Sequence, residues 1–234
     1  MPKTESESRL KLITKLIVRG YFKLYHQYEA LGQEHLPPQP PVFVLTNHVS
    51  NLDVPAFVLA DPFPRSSPVV KASLLDVPIV KQVLESWGAI PVARDGNDLT
   101  ALRELLTRLK QGRLVAIASE GTRNREGTLG ETNPVLARLA IQASSQGIPL
   151  IPLAAIGTYE CLPRGAFFPR PGKVKVLIGP RFDLSYLKSW PKDEGVEEAR
   201  RIIRERLVVM MESGLPIAPP LPSVPAPSPA ASSE

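Results

Sequence analysis

A histidine and an aspartate five positions apart form the first pair of side chains in this sequence with the chemistry of a catalytic base. His48 and Asp53 lie in the segment Asn47-His48-Val49-Ser50-Asn51-Leu52-Asp53, which follows a short apolar run at residues 42–45. A carboxylate that accepts a hydrogen bond from one imidazole nitrogen leaves the other unprotonated, and a histidine pKa of about 6.5 suits a general base near neutral pH. The spacing also fits an aspartate that merely caps the next helix, so the pair alone leaves both interpretations open.

A glycine-containing loop after another apolar run carries the residue types of an anion site. Glu120-Gly121-Thr122-Arg123 comes after the run at residues 114–118. Glycine lets the backbone turn and expose its N–H groups, and the planar guanidinium of Arg123 offers paired donors that match a phosphate. The loop therefore predicts a site for a phosphate-bearing molecule.

Two further cations stand at the ends of apolar runs. Lys71 ends the run at residues 69–71, and Arg94 comes shortly after the run at residues 90–92. If these runs are parallel strands, their carboxyl ends meet at one edge of the sheet, where open α/β sheets bind ligands. We expect Lys71 and Arg94 to face the edge that holds His48, although either side chain alone would be interpreted as an exposed surface charge.

Short apolar runs alternate with helical patterns along most of the chain. The runs predict strands at residues 42–45, 69–71, 90–92, 114–118, 150–156 and 174–178. Helical patterns occupy residues 54–60, 75–87, 99–111, 134–146 and 194–212. This alternation predicts an α/β fold with a mostly parallel or mixed sheet flanked by helices.

Residues 8–31 predict an amphipathic helix at the N-terminal end. Its apolar positions recur at spacings of three and four: Leu10, Ile13, Ile17, Tyr21, Leu24 and Tyr28. A basic stripe lies opposite: Lys11, Lys15, Arg19 and Lys23. This pattern is typical of a helix in the headgroup region of an anionic membrane. The alternative is a helix that packs on the domain and leaves its basic face in water.

Breaks in the pattern divide the chain into three parts. A proline-rich connector around residues 36–41 ends the N-terminal helical segment at residues 1–36. Residues 37–213 form the predicted domain, and Gly214 ends its last helix. The remaining residues 214–234 are rich in Pro, Ala and Ser and are predicted to be disordered.

Composition narrows the classes of partner. A formal net charge of +5 over 234 residues favours an anionic partner, which could be a phospholipid surface or a nucleic acid. We expect no nucleic acid, because aromatic residues make up only 6% of the chain and no recognised binding motif appears.

Cysteine, histidine and hydropathy patterns limit the possible compartment and cofactors. A single cysteine, Cys161, excludes an internal disulfide and a thiolate zinc site, and three histidines leave little scope for a metal centre. No apolar run approaches the roughly 20 residues of a membrane-spanning helix, and the acidic start does not resemble a secretion signal. We therefore expect a peripheral membrane protein at a cytoplasmic face.

Four ordered blocks together resemble a known enzyme family. The blocks are Asn47-His48-x-x-x-x-Asp53, Gly88-Ala89-Ile90-Pro91-Val92-Ala93-Arg94, Glu120-Gly121-Thr122-Arg123 and Ile148-Pro149-Leu150-Ile151-Pro152. They resemble the blocks of the glycerolipid acyltransferases, and most closely the bacterial-type 1-acylglycerol-3-phosphate (lysophosphatidate) acyltransferases. The likeness extends over about residues 40–160, and the order of four blocks is far more specific than any single motif.

The resemblance implies a reaction and a set of roles. His48, braced by Asp53, would deprotonate the sn-2 hydroxyl of lysophosphatidate, which then attacks an acyl thioester of coenzyme A or acyl carrier protein to form phosphatidate. Binding of the lysophospholipid acceptor would fall to these residues: Lys71, Arg94, Glu120, Gly121, Thr122 and Arg123. No cofactor is implied beyond the thioester co-substrate.

Departures from the family pattern leave alternatives open. Ala118-Ser119 replaces a common Phe-Pro pair, and Pro91 replaces the usual aromatic residue, so the acceptor and acyl selectivity are uncertain. One alternative is an acyltransferase for another lyso-lipid or for glycerol 3-phosphate, and another is a non-catalytic membrane-surface scaffold. Covalent catalysis is disfavoured because the sequence lacks a Gly-x-Ser-x-Gly elbow, and because Ser50 is placed to cap a turn.

Overall fold

The computed structural model describes residues 5–63, 66–92, 99–124 and 126–221. The strands are β1 (Glu29–Leu31), β2 (Val42–Thr46), β3 (Ser66–Lys71), β4 (Ile90–Val92), β5 (Leu114–Ala118), β6 (Leu150–Ile156) and β7 (Lys175–Ile178). The helices are α1 (Glu5–Tyr25), α2 (Asp53–Ala60), α3 (Pro78–Ser86), α4 (Leu99–Lys110), α5 (Pro134–Ser144), α6 (Thr158–Cys161) and α7 (Lys192–Ser213).

One mixed sheet forms the centre of the described structure. Its strand order is β1-β7-β6-β2-β5-β3-β4, and every neighbouring pair is parallel except the antiparallel pair of β6 and β7. All five residues of β2 are buried, as expected of a central strand covered on both faces. The predicted α/β fold with a mostly parallel or mixed sheet is confirmed.

Alternate residues of the central strands point to two different cores. Phe43 and Leu45 of β2 belong to the core that α4, α5 and α7 cover. Val42 and Val44 belong to the core beneath α1 and α2, which also contains Leu114 of β5. This alternation is the two-residue period of a pleated strand. As a result, α2 covers the side of the sheet opposite the longest helix, α7.

Parallel pairing places the predicted site residues at one edge. Because β2, β3, β4 and β5 all run the same way, their carboxyl ends share an edge. His48 follows β2, Glu120 and Arg123 follow β5, and Lys71 ends β3. Arg94 lies outside the described residues, so its predicted position has no structural counterpart.

The first helix is shorter than the sequence pattern predicts. It ends at Tyr25 rather than near residue 31, Gln27 adopts a left-handed φ of 43°, and Glu29–Leu31 pairs with β7 as an edge strand. Tyr28, predicted on the helix face, instead donates its hydroxyl to the Ala56 carbonyl at 3.0 Å. The helical prediction for residues 26–31 is wrong because sheet pairing outweighs a local periodicity of so few residues.

The predicted helix at residues 75–87 is also divided. A 3₁₀ turn covers Ala72–Asp76, Val77 is extended, and α3 starts at Pro78. Proline disfavours the helical conformation of the residue before it but is favourable at the first helical position. The sequence Val77-Pro78 therefore separates the turn from the helix.

The predicted disordered tail at residues 214–234 begins with a segment that contacts the domain. Gly214 ends α7 in the left-handed conformation with a φ of 65°. Arg206 of α7 then donates to the Pro219 carbonyl at 3.2 Å, and Leu221 packs against the core. Residues 222–234 lie outside the described part of the chain.

The first helix has its apolar face turned outward. Lys11, Thr14 and Lys15 make hydrogen bonds to the domain or within the helix, and Phe22 is buried. The exposed side is apolar: Leu12, Ile13, Leu16, Ile17 and Leu24, of which Leu24 is 89% exposed. The helix therefore packs on the domain, as the alternative expected, but it does so through Lys11, Lys15 and Phe22, and most of the predicted apolar stripe is exposed instead of buried. None of the helices in the described part of the chain could span a bilayer.

Candidate active site

His48 and Asp53 form a direct hydrogen bond. The His48 Nδ1 atom lies 2.8 Å from Asp53 Oδ2, and the same oxygen accepts the backbone N–H groups of Val49 and Ser50 at 2.8 Å each. Asp53 is fully buried, whereas the side chain of His48 is 26% exposed. With its hydrogen on Nδ1 toward the carboxylate, the imidazole presents Nε2 as a proton acceptor.

Asp53 does not act as a helix cap. Leu52 occupies the N-cap position of α2 without a side-chain hydrogen bond, and the N–H groups that Asp53 accepts belong to the turn before the helix. Ser50 stabilises this turn, because its hydroxyl accepts the Leu52 N–H at 3.2 Å and donates to the Leu162 carbonyl at 2.8 Å. The turn thus fixes the carboxylate, and the carboxylate orients the imidazole.

Glu120 connects the β5 loop to the backbone of the histidine. Its Oε2 accepts the His48 N–H at 3.0 Å, and its Oε1 accepts the Gly130 N–H at 2.5 Å. Burial raises the pKa of Glu120, although the hydrogen bonds from Gly130 and His48 oppose this shift. Both carboxylate oxygens contact backbone groups, so Glu120 positions the loop that carries the base.

Arg123 lies beside the same loop. Its Nη1 donates to Asn51 Oδ1 at 2.5 Å, and the next residue, Asn124, donates its backbone N–H to the His48 carbonyl at 3.0 Å. A guanidinium has five N–H donors, so the contact with Asn51 orients the group and leaves most of its donor capacity for an anion. This places a guanidinium beside the loop that carries His48.

Three other predicted binding residues that the structure describes, Gly121, Thr122 and Lys71, lie at or after strand ends of the same edge. Gly121 has a left-handed φ of 73°, which only glycine adopts without strain, and both Gly121 and Thr122 are exposed. Lys71 is exposed at the end of β3, which is separated from β2 by β5. The described residues therefore bring Arg123 next to the histidine loop and leave Lys71 at the outer part of that edge.

Asn47 is a positioning residue that the sequence analysis did not identify. Its side chain is fully buried, accepts the Ala155 N–H at 2.8 Å and donates to the Ala155 carbonyl at 2.9 Å. These two bonds join the end of β2 to β6 directly before His48. The signal in the sequence is an asparagine at the end of a fully apolar strand, since a buried amide must find hydrogen-bond partners.

An apolar cavity extends from His48 along the sheet. It has a volume of about 780 Å³ including its open mouth, and it lies between α2 and strands β2, β3 and β5. Its apolar lining includes Val44, Val54, Phe57, Val58 and Ala116. His48 stands at the carboxyl edge of the sheet, whereas Asp61 follows the C-terminal end of α2, a helix about 12 Å long at 1.5 Å per residue. The cavity therefore extends along α2, and its walls are mostly apolar.

The first helix contacts three residues that line this cavity. Lys11 donates to the Ser66 hydroxyl at 2.9 Å, Lys15 to the Asp61 carbonyl at 2.5 Å, and the Trp87 indole to the Thr14 hydroxyl at 3.2 Å. The three residues contacted, Ser66, Asp61 and Trp87, all line the cavity. Burial raises the pKa of Asp61, with Lys11 and Lys15 opposing the shift. Of the basic stripe of α1, Lys11 and Lys15 therefore contact the domain, whereas Arg19 and Lys23 are exposed.

Within residues 5–63, 66–92, 99–124 and 126–221, no three His, Cys, Asp or Glu side chains form a group that could hold a metal ion. The geometry brings together a proton acceptor, an apolar cavity beside it and the guanidinium of Arg123 next to the histidine loop. These groups suit a proton abstraction next to a bound alkyl chain.

Two acyltransferases are similar to this chain in sequence. The chain is 34% identical to the 1-acyl-sn-glycerol-3-phosphate acyltransferase of Pseudomonas aeruginosa, over 66% of this chain and 58% of that protein. It is 27% identical to the enzyme of the same name from Borreliella burgdorferi, over 78% of this chain and 70% of that protein. The chain therefore spans less than two thirds of the length of the Pseudomonas relative.

A solved structure shares the fold, and a family model covers the site. The 1-acyl-sn-glycerophosphate (LPA) acyltransferase PlsC from Thermotoga maritima superposes with a TM-score of 0.71 at 22% identity, over 91% of this chain and 84% of that one. The family model described as Acyltransferase matches residues 27–156, more than half of the chain, and this range contains His48, Asp53, Glu120 and Arg123. The chain therefore belongs to the acyltransferase family.

Proposed function

We propose that this protein transfers a fatty acyl group from a thioester to the sn-2 hydroxyl of 1-acyl-sn-glycerol-3-phosphate, forming phosphatidate. The observation that carries the proposal is the His48–Asp53 pair at the mouth of an apolar cavity. Family membership and relatives named as 1-acyl-sn-glycerol-3-phosphate acyltransferases support the choice of reaction and acceptor.

The catalytic step assigns one proton transfer to the histidine. His48 Nε2 accepts the proton of the acceptor hydroxyl while the hydroxyl oxygen attacks the thioester carbonyl carbon. The carbon–sulfur bond then breaks, and the leaving thiolate takes the proton from the imidazolium, which yields an ester and a free thiol. Asp53 attracts the imidazolium that forms between these events, as expected for a buried carboxylate at 2.8 Å.

The cavity binds one substrate, the acyl donor, and the cations bind the other, the phosphate-bearing acceptor. The apolar walls formed by α2 and the sheet accommodate the acyl chain of the donor, which is acyl-coenzyme A or acyl carrier protein. Arg123 binds the phosphate of the acceptor, with Lys71 as a further cation of the same edge and Gly121 and Thr122 as its neighbours in the loop. Arg94 is proposed as an additional phosphate contact on the basis of the sequence alone. Glu120 contributes by holding the His48 backbone.

The outward apolar face of α1 supports a peripheral contact with a membrane. Ile17 and Leu24 on this face are 65% and 89% exposed, and Arg19 and Lys23 are exposed beside them. Apolar side chains with neighbouring cations are suited to the interface of an anionic bilayer, here on the cytoplasmic side. Such docking would bring the lipid acceptor to the enzyme without a membrane-spanning segment.

A product assay with several acceptors tests the proposal. Purified protein is incubated with an acyl thioester and, in separate reactions, lysophosphatidate, lysophosphatidylcholine, lyso-ornithine lipid or glycerol 3-phosphate, and both thiol release and the acylated product are measured. We expect phosphatidate from lysophosphatidate at the highest kcat/KM. Equal or faster turnover of another acceptor would contradict the proposed substrate. If no acceptor in the set gave thiol release, the result would contradict an acyltransferase activity.

A further inference from the structure

Two adjacent phenylalanines are almost fully exposed in the loop between α6 and β7. Phe167 is 91% exposed and Phe168 is 78% exposed, and their ring centroids lie 5.4 Å apart in an edge-to-face arrangement. A single exposed apolar residue needs no explanation, but an adjacent aromatic pair keeps a large apolar area in water. A pair of this kind marks a surface that contacts something apolar.

The loop that carries this pair is anchored to the domain on both sides. The Ala166 N–H donates to the Pro163 carbonyl at 3.1 Å, and the Arg170 N–H donates to the Cys161 carbonyl at 2.7 Å. Cys161 itself is buried. The backbone therefore holds the two rings outward, and little ordering is needed when they bind a surface.

The aromatic pair is continuous with the exposed apolar face of α1. Tyr25 at the end of α1 donates its hydroxyl to the carbonyl of Pro169 at 3.2 Å, next to Phe168. The Tyr25 ring stacks on Tyr21 at 5.6 Å, and Tyr21 lies one turn beyond Ile17 on the same side of the helix. The exposed row of α1 thus leads directly to the loop.

Basic residues flank the pair within the loop. Arg164 lies three positions before Phe167, and Arg170 lies two positions after Phe168, and both arginines are exposed. An arginine beside an aromatic ring at a bilayer surface binds lipid phosphate while the ring inserts among the upper acyl carbons. This charge pattern fits an anionic bilayer better than an apolar protein partner.

We propose that Phe167 and Phe168 form a second membrane anchor, which inserts into the interface of an anionic bilayer while Arg164 and Arg170 bind lipid phosphates. The inference rests on the proposed function, in which the protein acts on a lipid. Contact at both α1 and this loop, instead of at one helix, fixes the tilt of the domain on the bilayer. A fixed tilt keeps the mouth of the site at a constant height above the lipid headgroups.

Vesicle binding of the full chain tests the anchor. Wild type and Phe167→Ser/Phe168→Ser are sedimented with vesicles of phosphatidylcholine, with and without phosphatidylglycerol. Because a buried phenylalanine contributes strongly to transfer from water, we expect the double variant to bind anionic vesicles about tenfold more weakly or worse. The matched control, Leu215→Ser/Ile217→Ser, removes two exposed apolar residues after α7 and should bind like wild type. Arg164→Gln/Arg170→Gln should lose the preference for phosphatidylglycerol.

Three further measurements separate the possible outcomes. Thiol release with a short-chain, water-soluble lysophosphatidate should be unchanged in the phenylalanine variant, which shows that the site is intact. Unchanged vesicle binding of that variant would overturn the proposed membrane anchor. A wild type that is dimeric in gel filtration, with a monomeric phenylalanine variant, would also overturn it, because Phe167 and Phe168 would then join two copies of the chain. If wild type binds vesicles through the pair but releases no thiol with any acceptor, the proposed function fails while the anchor stands.

Discussion

The two ends of the apolar cavity are held by different kinds of contact. At the His48 end, the buried carboxylates of Asp53 and Glu120 accept backbone N–H groups from their own and neighbouring loops. At the far end, the long side chains of Lys11 and Lys15 reach from α1 to the domain. A carboxylate that accepts several backbone N–H groups has little conformational freedom, whereas a lysine side chain has four rotatable bonds and is held at its tip.

The two kinds of contact match two tasks: the His48 end holds a catalytic base, and the α1 end limits the cavity. A base must keep its geometry to within a fraction of an ångström, and the first end is built for that purpose. The contacts from α1 only have to limit the cavity, so small displacements of this helix can be tolerated there. We therefore expect substitutions at the His48 end to lower kcat and substitutions at the α1 end to leave kcat nearly unchanged.

The largest effect is expected from Asp53→Asn. The amide keeps the size of the side chain but no longer favours the tautomer with hydrogen on Nδ1, so Nε2 ceases to be a proton acceptor. We expect kcat for thiol release to fall by about 10²- to 10⁴-fold. Asp193→Asn, at the start of α7 and far from the site in the chain, serves as the control, and a kcat for Asp53→Asn within a few-fold of wild type would contradict the role of the pair.

Arg123→Lys should act mainly on the acceptor. Lysine keeps the charge but loses the planar, paired donors that fit a phosphate. Because a charge-assisted hydrogen bond contributes about 1.5–3 kcal/mol, we expect the KM for lysophosphatidate to rise roughly 10- to 100-fold with a smaller change in kcat. The exposed Arg138 of α5 gives a matched control, Arg138→Lys. An unchanged KM would favour an acceptor without phosphate.

Glu120→Gln tests the backbone support of the base. Glutamine replaces one carboxylate oxygen with an NH2 group, which donates and cannot accept an N–H, so either the His48 or the Gly130 contact is lost. We expect kcat to fall by about tenfold, in proportion to one lost charge-assisted bond. A loss seen only in KM would instead support direct acceptor binding by Glu120.

The same substitution has a pH signature in stability. Burial raises the pKa of Glu120 above its ordinary value of 4.5, so the folded state binds a proton more tightly than the unfolded state. Stability then falls as pH rises from the unfolded pKa through the folded pKa. In chemical denaturation, the unfolding free energy of wild type minus that of Glu120→Gln should decrease from pH 4 to pH 7, and a difference that does not change with pH would contradict the raised pKa.

The smallest effect is expected at the α1 end. Lys15→Met removes one hydrogen bond to the Asp61 carbonyl but keeps the aliphatic stem. We expect the free energy of unfolding to decrease by about 0.5–1.5 kcal/mol and kcat to remain within about twofold of wild type. Lys23→Met, at an exposed position of the same helix, is the control. If kcat falls as much as in Glu120→Gln, the two ends of the cavity do not act separately.

The apolar runs were sufficient to predict the sheet edge, whereas the contact between His48 and Asp53 was one of two interpretations that their spacing left open. The apolar strands are long enough to identify, and a parallel sheet places their carboxyl ends together. The bond from Glu120 to the His48 backbone was not predictable, because it joins loops 72 positions apart and depends on how each loop returns to the sheet.

The orientation of α1 also required the structure. Both an apolar and a basic stripe are visible in the sequence, but the stripe that faces the domain is decided by polar partners, Ser66 and Asp61, that come from other elements. Strand β1 has only three residues, too few for a periodic signal. These are cases in which tertiary partners determine the local outcome.

A single-turnover measurement on His48→Ala tests the central claim most directly. Enzyme in excess over acyl thioester, with saturating lysophosphatidate, reports thiol release without any contribution from product release. The account predicts a rate about 10²- to 10⁴-fold below wild type, with donor binding and thermal stability retained. A variant that releases thiol at a rate close to that of wild type would contradict the assignment of His48 as the base.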